Sequence, residues 1–438
     1  METQENKFSW LKTSVSLKIT VIGFIILIML IPANLIKDLM RERQHRLNET
    51  LDEVTSKWGE SQQIGGLIIT VPCIETSIFN GKKHYETKYL NILPDKLDIE
   101  GEIIPVYRYR GIYKVLVYQS KIRLNGWFDS ISLPNASFKD CEILWDKATI
   151  ALEITDPHGI NNRIDLEWNG KKVTTTPGTG DSPDLGKGIH ISAPVNPNIK
   201  NSFSIDLDIN GSGLLSFLPL GKETNLQLSS SWAHPHFDGN YLPDKREISD
   251  SGFVAHWKIL EYNRDFPQHW FGSANLKTSG FGVELIESLD VYQKSMRAVK
   301  YAMLFVILTF LVFLFSELIY RKKAHPIQYI MVGAALCVFF SLLIALSEHL
   351  HFNLAYAIST VVIIAMITMF SKTVFKNRKV TTIVFMVLVA LFAFVFIILQ
   401  MADYSLIFGN IGLVIALAIV MYVSRKIDWY RESVTEEK

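Results

Sequence analysis

The sequence predicts a membrane protein of mixed α + β class: an N-terminal transmembrane anchor, a large β-rich domain outside the membrane, and a C-terminal bundle of five transmembrane helices, six in all. Three observations predict it. Of the 438 residues, 49% are hydrophobic and only 20% charged, with mean hydropathy +0.20, which fits a soluble chain poorly. The apolar residues gather in six stretches long enough to cross about 30 Å of hydrocarbon as helix. Between the first and second stretch lie about 260 residues rich in β-branched and aromatic runs, broken by four Asn-Gly pairs.

Charge and cysteine content exclude several classes. The 44 basic residues against 43 acidic ones leave a net charge of +1, without the basic excess of a nucleic-acid binder, so no nucleic-acid partner is expected. Three cysteines, Cys73, Cys141 and Cys337, cannot form a disulfide framework, and none has zinc-ligand spacing.

In chain order, residues 1–18 form an N-terminal segment and residues 19–36 the first span, bounded by Lys18 and Lys37. Its apolar stretch exceeds a signal-peptide core and no small-x-small cleavage pattern follows Pro32-Ala33-Asn34, so an uncleaved anchor is expected. After the domain of residues 37–298, the other spans are 301–320, 326–347, 352–371, 380–402 and 404–424, then a tail, 425–438. The loop after the second span carries Arg321, Lys322 and Lys323, and that after the fourth carries Lys372, Lys376, Arg378 and Lys379. The loops at Glu348 to His351 and around Asp403 carry no Lys or Arg. Lys and Arg stay on the cytoplasmic side, so both termini are expected inside and residues 37–298 outside.

Within that domain the pairs Asn80-Gly81, Asn125-Gly126, Asn169-Gly170 and Asn210-Gly211 are expected as hairpin turns, the third between Arg163–Trp168 and Lys171–Thr176. Leu47, Leu51, Val54 and Trp58 recur at helical spacing, predicting that the anchor helix continues outward as a stalk, and residues 291–300 lead back to the membrane. The Gly, Pro and Thr-rich stretch 174–194 reads as a loop or linker. It separates two similar orders of features, so two β subdomains at about 62–175 and 198–290 are one expectation; a plain antiparallel meander is the other.

Motifs for phosphate binding, zinc proteolysis and nucleophilic hydrolysis are missing: Gly221-Lys222 is followed by Glu223, and neither HExxH nor GxSxG occurs. The remaining candidates are clusters. His234, His236 and Asp238 place two imidazoles and a carboxylate within five residues, and with His256 or His269 would suit a metal; a turn around Pro235 and Asp238-Gly239 accounts for the same residues without a third ligand. Glu348, His349 and His351 suit proton handling, or simply the polar end of a helix. Glu317 lies inside a span, one turn from its end, with Arg321 at i+4 as the expected ion-pair partner. Cys73 and Cys141 are available to pair, and Cys337 reads as a packing residue.

Several collinear segments resemble the CreD family of bacterial inner-membrane proteins. They are Leu30–Pro32, Tyr109–Val115, Phe217–Lys222, Ser231–Pro235, Pro267–Trp270, Phe281–Val283, Lys300–Ala302, Leu308–Phe310, His325–Tyr329 and Leu346–His349. The sequence departs from that family's pattern at His236, which stands where a small residue is usual, and this weakens a metal role for His234 with His236. The resemblance implies a multi-pass protein of the bacterial inner membrane with residues 37–298 periplasmic. It implies expression under a two-component response and links to envelope stress, colicin tolerance and β-lactam response. It implies no defined reaction.

The expected function is therefore non-catalytic support of cell-envelope integrity, by periplasmic binding or scaffolding of an envelope protein or cell-wall material, with the lipid bilayer as the other partner. The alternatives are a small transporter or channel gated by the β domain and, more weakly, a membrane-anchored hydrolase. Candidate binding residues are His234, His236, Asp238, Glu348, His349 and Glu317. No catalytic residue, metal or cofactor is assigned.

Overall fold

The structure, a computed structural model of the chain, describes residues 15–79, 82–131, 141–286, 290–320, 324–401 and 405–425. They divide into two units: residues 47–287, and residues 1–46 together with 288–438.

Helix α1 (Val15–Trp58) runs through the first apolar stretch and on through the predicted stalk, with Pro32 inside it. The other helices are α2 (Asp290–Lys300), α3 (Ala302–Tyr320), α4 (Pro326–Ser347), α5 (Phe352–Phe375), α6 (Arg378–Gln400) and α7 (Ser405–Ser424). All but α2 are long and apolar enough to cross a membrane, which makes six such helices among the described residues. The basic loop residues Arg321 to Lys323, and Asp403, lie outside the described residues. Helix α4 starts where His325-Pro326 predicts: the His325 ring accepts from the Ile327 amide at 3.3 Å and Gln328 accepts from the His325 amide at 3.0 Å, a reciprocal cap. Phenylalanines fill the bundle, with Phe305 and Phe392 ring centroids 4.7 Å apart and Phe339 and Phe392 4.8 Å apart. Helix α2 is more than a lead-in: it is amphipathic, burying Ser295, Ala298 and Val299 against the bundle while Lys300 stays exposed.

Residues 47–287 carry two sheets around one core. The first has ten strands and is centred on Gln62–Phe79, which pairs in parallel with Leu214–Phe217 on one side and antiparallel with Thr149–Ile154 on the other. The second has eight strands and is centred on the long hairpin Lys96–Arg110 with Tyr113–Phe128, flanked by Asn201–Gly211 and, in parallel, by Glu223–Ser230. Tyr118, Phe128, Phe217, Trp257 and Phe281 are fully buried between them. The buried polar tips are met: the Tyr118 hydroxyl donates to the Leu214 carbonyl at 2.9 Å and Trp257 Nε1 to the Tyr241 carbonyl at 3.0 Å.

This topology corrects three expectations. Stretches 62–175 and 198–290 are not separate bodies, because parallel pairing of Gln62–Phe79 with Leu214–Phe217, and of Lys96–Arg110 with Glu223–Ser230, interleaves them in both sheets. The stretch 174–194 is no linker: Gly188–Ser192 pairs with Thr149–Ile154, and Leu185, Ile189 and Ile191 are buried. Among the Asn-Gly pairs, Asn169-Gly170 makes the hairpin turn, with φ of 48° and 76°. Asn125-Gly126 and Asn210-Gly211 instead lie inside strands. Their glycines answer to packing: a Cβ on Gly126 would come within 2.2 Å of the Lys96 carbonyl, and one on Gly211 within 2.3 Å of the Tyr118 hydroxyl. Asn80-Gly81 lies outside the described residues, although the flanking strands pair up to Phe79 opposite Lys82.

Cys73 and Cys141 form a disulfide between the central strand Gln62–Phe79 and the short strand Cys141–Ile143, across a sequence separation of 68. Closing a loop of that length restricts the unfolded chain, so replacing both cysteines by Ser is expected to cost about 2–4 kcal/mol. Thermal melting of the full-length oxidised protein, followed at the β-sheet band, checks this; an unchanged transition refutes it.

Candidate functional site

Two carboxylates of the helix bundle are candidate functional groups, and α1 supplies a partner to each. Glu317, 4% exposed on α3, accepts from Lys18 at 2.5 Å and from the Tyr329 hydroxyl at 3.2 Å. Sequence reasoning assigned this carboxylate to Arg321, which lies outside the described residues; the observed partner is 299 residues away. Glu348, the C-cap of α4, faces Arg43 at 3.3 Å. Lys18 and Arg43 are 25 positions apart, or about 37 Å along a helix, so they bracket one bilayer crossing. A carboxylate in hydrocarbon is tolerated only when paired, and these pairs fasten α1 to the bundle at both ends of its apolar stretch. His349 and His351 are exposed in the turn after α4, where His351 is the N-cap of α5.

His236 and Asp238 lie on the exposed side of Pro235–Gly239, an edge strand rather than the expected turn, and His234 is exposed just before it. Phe237 points inward onto Phe253 and Trp257, with ring centroids 5.7 Å from each. His236 lies 3.5 Å from Glu284, and the His234 carbonyl accepts from Trp232 Nε1 at 3.0 Å. His256 belongs to the other sheet and His269 to a strand paired with Lys82–Ile92, so the structure does not assemble the four histidines. No group of three or more His, Cys, Asp or Glu side chains suited to a metal occurs among the described residues.

The outer face of the second sheet is a surface the sequence reading missed. Paired positions across five strands read His256, Gln227, Glu100, Arg123 and Asp206 in one row, and Glu102, Lys121 and Asp208 lie in the next. Arg123 donates to Asp206 at 2.7 Å, and a groove of about 680 Å³ runs over these rows. The signal was legible as alternation: in Lys121–Leu124 and Ser204–Ile209 each buried apolar residue is followed by a polar one. Such a face offers donors and acceptors of both signs and suits binding of a polar partner.

The segments that carried the family resemblance act as fasteners. Gln268 of the Pro267–Trp270 segment donates to the carbonyls of Leu93 and Pro94 at 2.7 and 2.9 Å and accepts from Arg264. Buried Arg264 also donates to the Leu220 carbonyl at 3.0 Å, and desolvation pushes its pKa down to about 10. Trp270 donates to Asp184 at 2.7 Å, and burial raises the pKa of that carboxyl. At the tip of the long hairpin, Arg108 stacks 3.9 Å over Trp58 and Arg110 reaches Glu53 at 2.8 Å, tying the hairpin to the stalk part of α1. Glu53 is held below the usual carboxylate range, first by its hydrogen bond from Lys57 and then by Arg110.

The fold and these groups define a polytopic membrane protein with a large two-sheet domain inserted after its first helix. The family model described as inner membrane protein CreD matches residues 14–430. The chain is 33% identical over 438 residues to inner membrane protein CreD of Escherichia coli (strain K12), covering 98% of this chain and 96% of that protein. The protein belongs to the CreD family.

Two predictions follow from this geometry. Lys18→Met leaves a buried charge without its counter-ion and is expected to destabilise the bundle by about 1–3 kcal/mol, discounted because Lys18 is partly exposed. Adding Glu317→Gln should recover most of that loss, and additive effects in denaturation of the micellar protein would refute the coupling. The pKa of His269 is held below its ordinary value, first by burial and then by Lys222. The unfolded chain therefore binds this proton more readily, so the contribution of His269 is complete above about pH 6.5 and lost as pH falls through the lower folded value. His269→Gln is expected to flatten that part of the melting-temperature profile between about pH 7 and pH 5, and an unaltered profile excludes the residue as its source.

Proposed function

We propose that this protein is a non-catalytic envelope-integrity protein of the inner membrane, in which the two-sheet domain binds an envelope partner on the periplasmic side and the bundle anchors it. The pairing of both Glu317 and Glu348 with α1 carries this reading, because the carboxylates a coupled transporter would leave free to load are used to hold the anchor helix. The polar face of the second sheet, along Glu100, Arg123 and Asp206, is the proposed binding surface. The count of basic residues in the loops supports an orientation with both termini cytoplasmic and residues 37–298 periplasmic.

A second reading, a small transporter or channel, draws on the hydroxyls of Thr309, Ser359 and Ser371. They are buried in the bundle with no hydrogen-bond partner among the described residues.

Complementation of a deletion strain under envelope stress separates the readings. Rescue is compared for the full chain, for residues 37–298 on an unrelated single anchor, and for Glu317→Gln with Glu348→Gln. Anchoring expects the re-anchored domain to restore wild-type resistance. Rescue by the full chain alone, lost in the double Gln variant, overturns it in favour of transport.

A further inference from the structure

A cavity of about 200 Å³ lies between the start of α3, the second half of α6 and the first half of α7. Its wall changes character along its length. Lys300, Tyr301 and Asn410 supply an ammonium, a hydroxyl and an amide, whereas Leu304, Phe394 and Leu413 are wholly apolar. The shape of the apolar part is set by Gly412, where a Cβ would stand 1.8 Å from the Phe394 ring, so only glycine lets the ring lie against α7. Lys300 is exposed and has no carboxylate within ion-pair distance among the described residues. An unpaired ammonium over an apolar slot in a membrane bundle is complementary to one class of molecule.

We propose that this cavity is a binding site for an anionic phospholipid, with the phosphate on Lys300 and Asn410 and the upper acyl chain along Phe394 and Leu413. A zwitterionic headgroup would bring its own ammonium towards Lys300, so the site discriminates by charge. The volume is too small for a whole lipid; the rest of the chains lie in the surrounding bilayer.

Native mass spectrometry of the full chain, extracted gently from membranes and from nanodiscs of phosphatidylglycerol with phosphatidylethanolamine, tests this. Wild-type protein should retain phosphatidylglycerol in preference, and Lys300→Gln should reduce that preference about five-fold while keeping the cavity. Gly409→Leu places a side chain into the cavity, where the nearest atom to its Cβ is the Tyr301 hydroxyl at 3.8 Å, and should lower total lipid retention with Lys300 intact. Melting curves matched to wild type confirm that both variants fold. Loss of preference in the first together with loss of retention in the second supports the site. Any other pattern overturns it, including no retained lipid in the wild type or unchanged lipid in either variant.

Discussion

Glu317 has to be neutralised where it stands, because a bare carboxylate among Phe310, Phe313 and Leu314 has no water to solvate it. The neutralising group comes from the beginning of the chain, and the polypeptide between Lys18 and Glu317 is thereby closed into one loop whose ends are held by a 2.5 Å contact. Tyr329 completes the arrangement from the next helix, and His325 with Gln328 fixes the register at which α4 delivers it. The His325–Tyr329 segment thus joins a helix cap to a hydrogen bond on the paired carboxylate four residues later.

The same need to fasten distant sequence recurs in the two-sheet domain by different chemistry. Parallel pairing of Gln62–Phe79 with Leu214–Phe217 and of Lys96–Arg110 with Glu223–Ser230 brings together segments more than a hundred residues apart, so neither half can bury its apolar face alone. Arg264 and Gln268 then pin the turn beside Leu93 and Pro94 to Leu220, where backbone carbonyls would otherwise lose water without compensation. The Cys73–Cys141 disulfide secures the far half of the central strand, beyond the reach of those bonds.

Helix count and the long stalk were legible because hydrocarbon thickness and helical periodicity are local constraints, written in contiguous residues such as Leu47, Leu51, Val54 and Trp58. Turns were legible only in part. Asn169-Gly170 sits where the flanking strands end, but Gly126 and Gly211 are small because Lys96, Phe203 and Tyr118 press on them, and those neighbours are remote in sequence. The Gly and Pro content of 174–194 hid the strand Gly188–Ser192 for the same reason: Gly188 is there so that the Leu152 carbonyl can approach, which composition reads as flexibility. The Glu317 site was legible as a paired charge but not with Lys18 as its partner, since the i+4 rule sees only its own helix.

The distribution of charge argues further about where activity resides. Within the bundle, Glu317 and Glu348 are spent on α1. On the outer face of the second sheet, by contrast, Glu100, Glu102, Lys121, Asp206 and Asp208 stand in rows with water on one side, where exchanging water for a partner's polar groups costs little. His236 and Asp238 on the edge strand, and His234 just before it, share that exposure. Buried charges thus hold structure while exposed charges form a continuous plane, and that division supports the proposed binding through the sheet.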